Sequence, residues 1–125
     1  MFGKNTEKLK IILGAQSEFQ GELISKGLLL INGFANGKVQ ADEVILSESA
    51  VIQGEIIAKR IIVGGRVEGS LKAEDLVEIT SKGKVQGEIL TNKLTVMEGG
   101  EFNGQIRMKP LDPSVLDFES RREAT

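Results

Sequence analysis

Six glycines return along this chain at intervals too short for any helical crossover. They are Gly21, Gly37, Gly54, Gly69, Gly87 and Gly104, spaced by 16, 17, 15, 18 and 17 residues. Two residues before each stand Phe19, Ala35, Ile52, Val67, Val85 and Phe102; two residues after stand Leu23, Val39, Ile56, Leu71, Ile89 and Ile106. Four residues before each, every position is small: Ser17, Gly33, Ala50, Gly65, Gly83 and Gly100. Four after come Ser25, Ala41, Ala58, Ala73 and Thr91, with Met108 breaking the series. Alternating positions of an extended chain share one face, so these residues define an apolar face. Those between them are mostly Glu, Lys, Gln, Asn, Ser and Arg, the makings of a wet one.

A second apolar pair follows the first five glycines. Leu28, Val44, Ile61, Leu76 and Leu94 lie seven residues on; Leu30, Leu46, Val63, Glu78 and Val96 lie nine on. All are expected to point inward except Glu78, where a slip of one residue substitutes Val77 and Ile79. The segment Leu9 to Leu13, followed by Gly14, resembles the second half of a preceding unit. The chain therefore reads as six repeats with a partial one in front.

Strand-length pieces of about five residues, broken by small residues and repeated every ~17, restrict the architecture. A βαβ unit needs a dozen or more residues for its crossover and does not fit. Hairpins would place Asn-Gly turns between paired strands, whereas Asn32-Gly33, Asn36-Gly37 and Asn103-Gly104 fall at repeat positions, as corners do. The remaining solution is all-β: a parallel β-helix of about six coils, each repeat one coil, stacked at ~4.8 Å into a rod of roughly 25–30 Å. Left-handed coils follow a strict hexapeptide rhythm, so the irregular spacing points to the right-handed form.

Composition narrows function. There is no Cys and no His, which excludes thiolate and imidazole metal sites and the usual catalytic triads. A net charge of −2 argues against a general nucleic-acid binder. No apolar run reaches the ~20 residues of a membrane helix, and Met1-Phe2-Gly3-Lys4 lacks the order of a secretory signal. The expected setting is cytoplasmic. Gly64 and Gly69 have P-loop spacing, but Ser70 and Leu71 occupy the places of the required Lys-Ser or Lys-Thr. Asp42/Glu43 and Glu74/Asp75 read as solvated corners rather than acid–base pairs, since Lys59-Arg60 and Lys93 occupy comparable positions. No catalytic residue, cofactor or metal is expected.

The ends of such a rod carry the functional expectation. A terminal coil offers unpaired backbone groups and the cross-section of a core, which template association unless capped. Phe102, Ile106 and Met108 lie at one end, and Leu9, Leu13 and Phe19, with Ile11 or Ile12, at the other. These residues are the expected polymerisation interface. The repeat stops near Lys109, and Pro110 and Pro113 donate no ladder bonds. We expect a flexible N-terminal tail over 1–8, the β-helical domain over 9–109 and a flexible C-terminal tail over 110–125. Met1, Phe2, Lys4 and Lys8 make the first tail a candidate contact with an anionic membrane.

Units such as Val51-Ile-Gln-Gly54-Glu-Ile56-Ile-Ala58 and Val67-Glu-Gly69-Ser-Leu71-Lys-Ala73 resemble the bactofilins, a bacterial cytoskeletal family, over residues 9–109. The Met-Phe start followed by Lys resembles that family's membrane-targeting tail. The resemblance implies a right-handed β-helix that assembles end to end, without nucleotide, into nonpolar filaments, often along the inner membrane. It also implies partners in cell-shape and envelope-synthesis machinery. A monomeric β-helical adaptor displaying flat faces to a protein partner is the alternative.

Overall fold

The computed structural model describes residues 10–108. Ten strands occupy them: β1 (Lys10–Leu13), β2 (Glu18–Ile24), β3 (Leu28–Ile31), β4 (Phe34–Gln40), β5 (Glu43–Leu46), β6 (Val51–Val63), β7 (Arg66–Ile79), β8 (Lys84–Thr91), β9 (Leu94–Val96) and β10 (Glu101–Met108). Every pairing between them is parallel. The fold is a parallel β-solenoid of six turns, as the repeat predicts.

Each turn contributes to three ladders. The first joins residues before the glycine: Phe19, Ala35, Ile52, Val67, Val85 and Phe102 are successive Cα partners. The second joins residues after it, and Leu23, Val39, Ile56, Leu71, Ile89 and Ile106 form its leading column. The third stacks β1, β3, β5, the end of β6, the end of β7, and β9. The partial repeat in front thus supplies the first rung of the third ladder.

The interior is aliphatic and dry. Leu29, Ile31, Val44, Ile52, Ile56, Ile61, Val63, Val67, Leu71, Val77 and Ile79 are fully buried. At ~1.5–3 kcal/mol per large aliphatic side chain removed from water, these columns are the main force opposing chain entropy. Between the first two ladders runs the glycine column. Gly69 has φ +140°, and a Cβ there would overlap the carbonyl oxygen of Gly54 in the coil below. The chain bends at this column while both flanking ladders continue. That is why β2, β4, β8 and β10 run for seven or eight residues where the repeat suggested pieces of five; β6 and β7 reach 13 and 14 by also continuing past the next corner into the third ladder.

One inward assignment is corrected. Leu29 and Ile31, not Leu28 and Leu30, enter the core of the second turn. Leu29 is partnered by Ile11 and Val44, and Ile31 by Leu13 and Leu46. The corner before β3 holds one extra residue, with Gly27 at φ +84°. Gly27 donates its N–H to Asp42 Oδ2 (3.1 Å), and its carbonyl accepts the N–H groups of Asp42 and Glu43. Leu76 gives way to Val77 in the same manner: Ala58 pairs with Ala73 but Arg60 with Leu76, so Lys59 faces both Glu74 and Asp75. This bulge performs the slip expected at Glu78, and Val77 and Ile79 are both completely buried.

Met1, Phe2, Lys4, Lys8 and Leu9, and the expected tail over 110–125, lie outside the described residues.

Candidate assembly surfaces

At the first coil, the inward side chains Ile11, Leu13, Phe19 and Leu23 rest on the core but remain partly exposed. Their column neighbours one coil on, Leu29, Ile31, Ala35 and Val39, are buried. The difference is positional. An inward residue of an inner coil is covered on two sides along the stack; one in a terminal coil is covered on one.

The last coil shows the same arrangement. Phe102 and Leu94 pack against the core and are partly exposed. Val96 is 46% exposed, Ile106 42% and Met108 56%, whereas their partners Ile79, Ile89 and Thr91 are at most 1% exposed. Met108 continues the column of small residues Ala58, Ala73 and Thr91. A long thioether there has no room inside a coil stack, but it can spread over an open end.

Among the described residues, the large apolar side chains that are plainly exposed are Ile12, Ile24, Val96, Met97, Ile106 and Met108. All six belong to the first or last coil. Among the described residues, the terminal strands also pair on one side only: β2 with β4, and β10 with β8. Each end therefore offers backbone donors and acceptors beside an apolar cross-section, the combination that templates β-stacking.

Of the expected interface residues, Leu13 and Phe19 lie together at one end and Phe102, Ile106 and Met108 at the other. Leu23, Leu94 and Val96 belong to the same end surfaces, and their column positions announce them. Of the expected alternatives Ile11 and Ile12, Ile11 takes the inward position and Ile12 the exposed outward one; Ile24 and Met97, on outward or corner positions, are not among the expected residues.

The remaining polar candidates serve the corners. Glu43 Oε2 lies 3.2 Å from Arg60 Nη1 on the rung above. Asp42 is held by Gly27, and Glu74 and Asp75 project at the bulge. Among the described residues, no group of three or more acidic, His or Cys residues is placed to hold a metal ion. No helix there is long and apolar enough to cross a membrane.

These features define a structural β-solenoid with uncapped apolar ends among its described residues. A family model described as "Bactofilin: Polymer-forming cytoskeletal" matches residues 11–107, and the chain belongs to that family. The family is structural and non-enzymatic. A solved structure from Thermus thermophilus, "Cryo-EM reconstruction of Thermus thermophilus bactofilin double helical filaments", superposes with a TM-score of 0.73 at 26% identity. The match covers 79% of this chain and 99% of that one. No curated protein matches the chain.

Proposed function

We propose that this polymer-forming cytoskeletal protein assembles by stacking its first and last coils end to end, without nucleotide, into nonpolar filaments that scaffold envelope or cell-shape machinery. The observation that carries this reading is the confinement of exposed large apolar side chains to the two terminal coils. Docking covers Phe19, Leu23 and Leu13 at one junction and Phe102, Ile106 and Met108 at the other. It also completes the parallel or antiparallel ladders that β2 and β10 leave open. Both ends carry a Phe in the same column, so each is chemically suited to meet its own copy in a two-fold contact.

The filament is read as lying on the inner face of the cytoplasmic membrane, held by Met1, Phe2, Lys4 and Lys8. One aromatic and a few cations bind weakly, and a filament multiplies them by avidity. The likeness to a bactofilin that forms filaments supports the polymer.

Electron microscopy and concentration-dependent light scattering of the purified full chain test this reading. Filaments that form without nucleotide are expected. A stable monomer at high protein concentration would instead support the adaptor.

A further inference from the structure

The third ladder ends on an edge that nothing among the described residues covers. β9 pairs with β7 alone, and beside it Val96 is 46% exposed and Met97 47%. Val77 donates its N–H to the carbonyl of Lys93, and Met97 donates its own to the carbonyl of Ile79. Successive residues of a parallel strand turn their backbone groups to opposite neighbours, so Lys93, Thr95 and Met97 face β7. Leu94 and Val96 therefore turn their N–H and C=O groups the other way, off the end of the stack. The last strand, β10, ends at Met108 in the second ladder, one corner short of where a further rung on this edge would begin.

We infer that residues 110–114 of the same chain occupy this edge as a seventh rung of the third ladder, with Leu111 stacked on Leu94 and Pro113 on Val96. The rung replaces the start of the flexible tail expected from residue 110, and it stands whether or not the ends polymerise. Three observations select this segment.

The first is register. From Ala41, Ala58 and Thr91, the next inward residue of the third ladder lies three positions on, at Val44, Ile61 and Leu94. Met108 stands in the column of Ala58 and Thr91, and three positions on is Leu111. The longer corners, from Ser25 to Leu29 and from Ala73 to Val77, take four. That spacing would aim Asp112 at an apolar cross-section.

The second is the supply of hydrogen bonds. In this register the carbonyls of Pro110 and Asp112 accept the N–H groups of Leu94 and Val96. Asp112 and Ser114 in turn donate to the carbonyls of Leu94 and Val96. Neither proline is asked for a hydrogen. Pro110 takes the place of Lys93, whose N–H goes to Thr91 Oγ1 within its own corner. Pro113 turns its nitrogen to the outer side, the place a sheet allows proline.

The third is the stop. The first ladder resumes four or six positions after the third: Ala35 follows Ile31, Val67 follows Val63, Val85 follows Ile79 and Phe102 follows Val96. Counted from Pro113, those positions are Asp117 and Glu119, and the glycine two further on is replaced by Glu119 or Arg121. No seventh rung of the first ladder follows, so Phe102 and Ile106 stay uncovered by this segment. The added rung also presents Pro113 to any incoming strand, which blunts the third ladder as a docking edge.

The chain holds no cysteine, so introduced pairs report the rung directly. The full chain carrying Thr95→Cys/Asp112→Cys is oxidised mildly at high dilution and compared with Thr95→Cys/Ser114→Cys. In the proposed register the first pair lies directly across ~4.8 Å. The second is two residues out, beyond the ~7 Å that a disulfide spans. The first pair is expected to close an intramolecular bridge at least about tenfold faster, the second being held out of bonding geometry. Adding Leu111→Asp to the first variant should bring its rate down to that of the second. Equal rates for the two pairs, or a first-pair rate that Leu111→Asp leaves unchanged, overturn the rung. So does a bridge that joins two chains on a denaturing gel, since a second copy would then cover β9. A bridge within one chain reads the same in monomer and filament, so failure of the end-to-end reading would show separately, as absence of filaments.

Discussion

Phe19 and Phe102 are the first and last members of one inward column, each packed against the core and each only partly buried. Covering such a ring contributes ~1.5–3 kcal/mol, and the symmetry of its placement makes filament polarity measurable. Phe19→Arg and Phe102→Arg should each abolish filaments while leaving a β-rich circular dichroism spectrum, because Arg at an open end can extend its head into water. In a nonpolar filament each variant blocks one junction and spares the other, so each sediments as a dimer. In a head-to-tail filament every junction uses both ends. Each variant is then monomeric, and only their mixture forms dimers. Filaments of normal length from either variant would show that its end does not carry the interface.

The glycine column allows a comparison within one residue type. Gly21 and Gly69 both have positive φ, +123° and +140°. A Cβ on Gly21 meets nothing within 4 Å, whereas one on Gly69 overlaps the Gly54 backbone. Gly21→Ala should cost only the backbone strain, ~1–3 kcal/mol. Gly69→Ala must in addition push two coils apart, so its thermal midpoint should fall much further. Measured in a Phe19→Arg/Phe102→Arg background, where neither end docks, equal midpoints would contradict the close approach of the coils.

How far the sequence discloses this fold depends on where its pattern is degenerate. The first and second ladders are legible because one glycine fixes their phase and polar residues separate the inward ones. Leu28-Leu29-Leu30-Ile31 offers no such separation, for an unbroken apolar run fits either phase of a strand. There the extra residue at the Gly27 corner decides, and spacing alone misplaces Leu28 and Leu30. Glu78 has the opposite effect: one carboxylate in an inward position exposes the slip and leads to Val77 and Ile79. The end surfaces follow the same logic. Phe102, Ile106 and Met108 are legible as the last members of aligned columns. Ile12 and Ile24 stand outside the inward alternation, and Met97 lies at a corner, where no period applies.

Burial across the second ladder separates inward from outward positions. Leu71 is completely buried between Ile56 and Ile89. Leu71→Asp leaves a charge with no partner in an aliphatic column, and a loss of several kcal/mol is expected. Glu55, one residue before Ile56, points outward and lies 3.0 Å from Lys72 Nζ. Glu55→Lys breaks that exposed pair and should cost no more than ~1 kcal/mol. Denaturant titration of both variants decides the assignment, which is wrong if Glu55→Lys is the more damaging.

The last prediction concerns the membrane. The repeat that builds the coils begins after residue 8, and β1 opens at Lys10. The stack therefore does not need Met1, Phe2, Lys4 or Lys8 to form its ladders. Deleting residues 1–8 should leave filaments of normal appearance and remove co-sedimentation with anionic vesicles. Phe2→Glu should act in the same direction by a separate route, replacing an apolar insertion with a charge that the lipid headgroups repel. Each basic residue near an anionic surface contributes ~1 kcal/mol, so the wild-type interaction should weaken as salt is raised. A single subunit would hold the surface poorly, and binding should rise steeply once filaments form. The polymer-blocked Phe102→Arg chain, which retains the whole tail, should accordingly bind vesicles less well than wild type. Equal sedimentation of the full-length and truncated chains would remove the membrane contact from the proposal and leave the filament untouched.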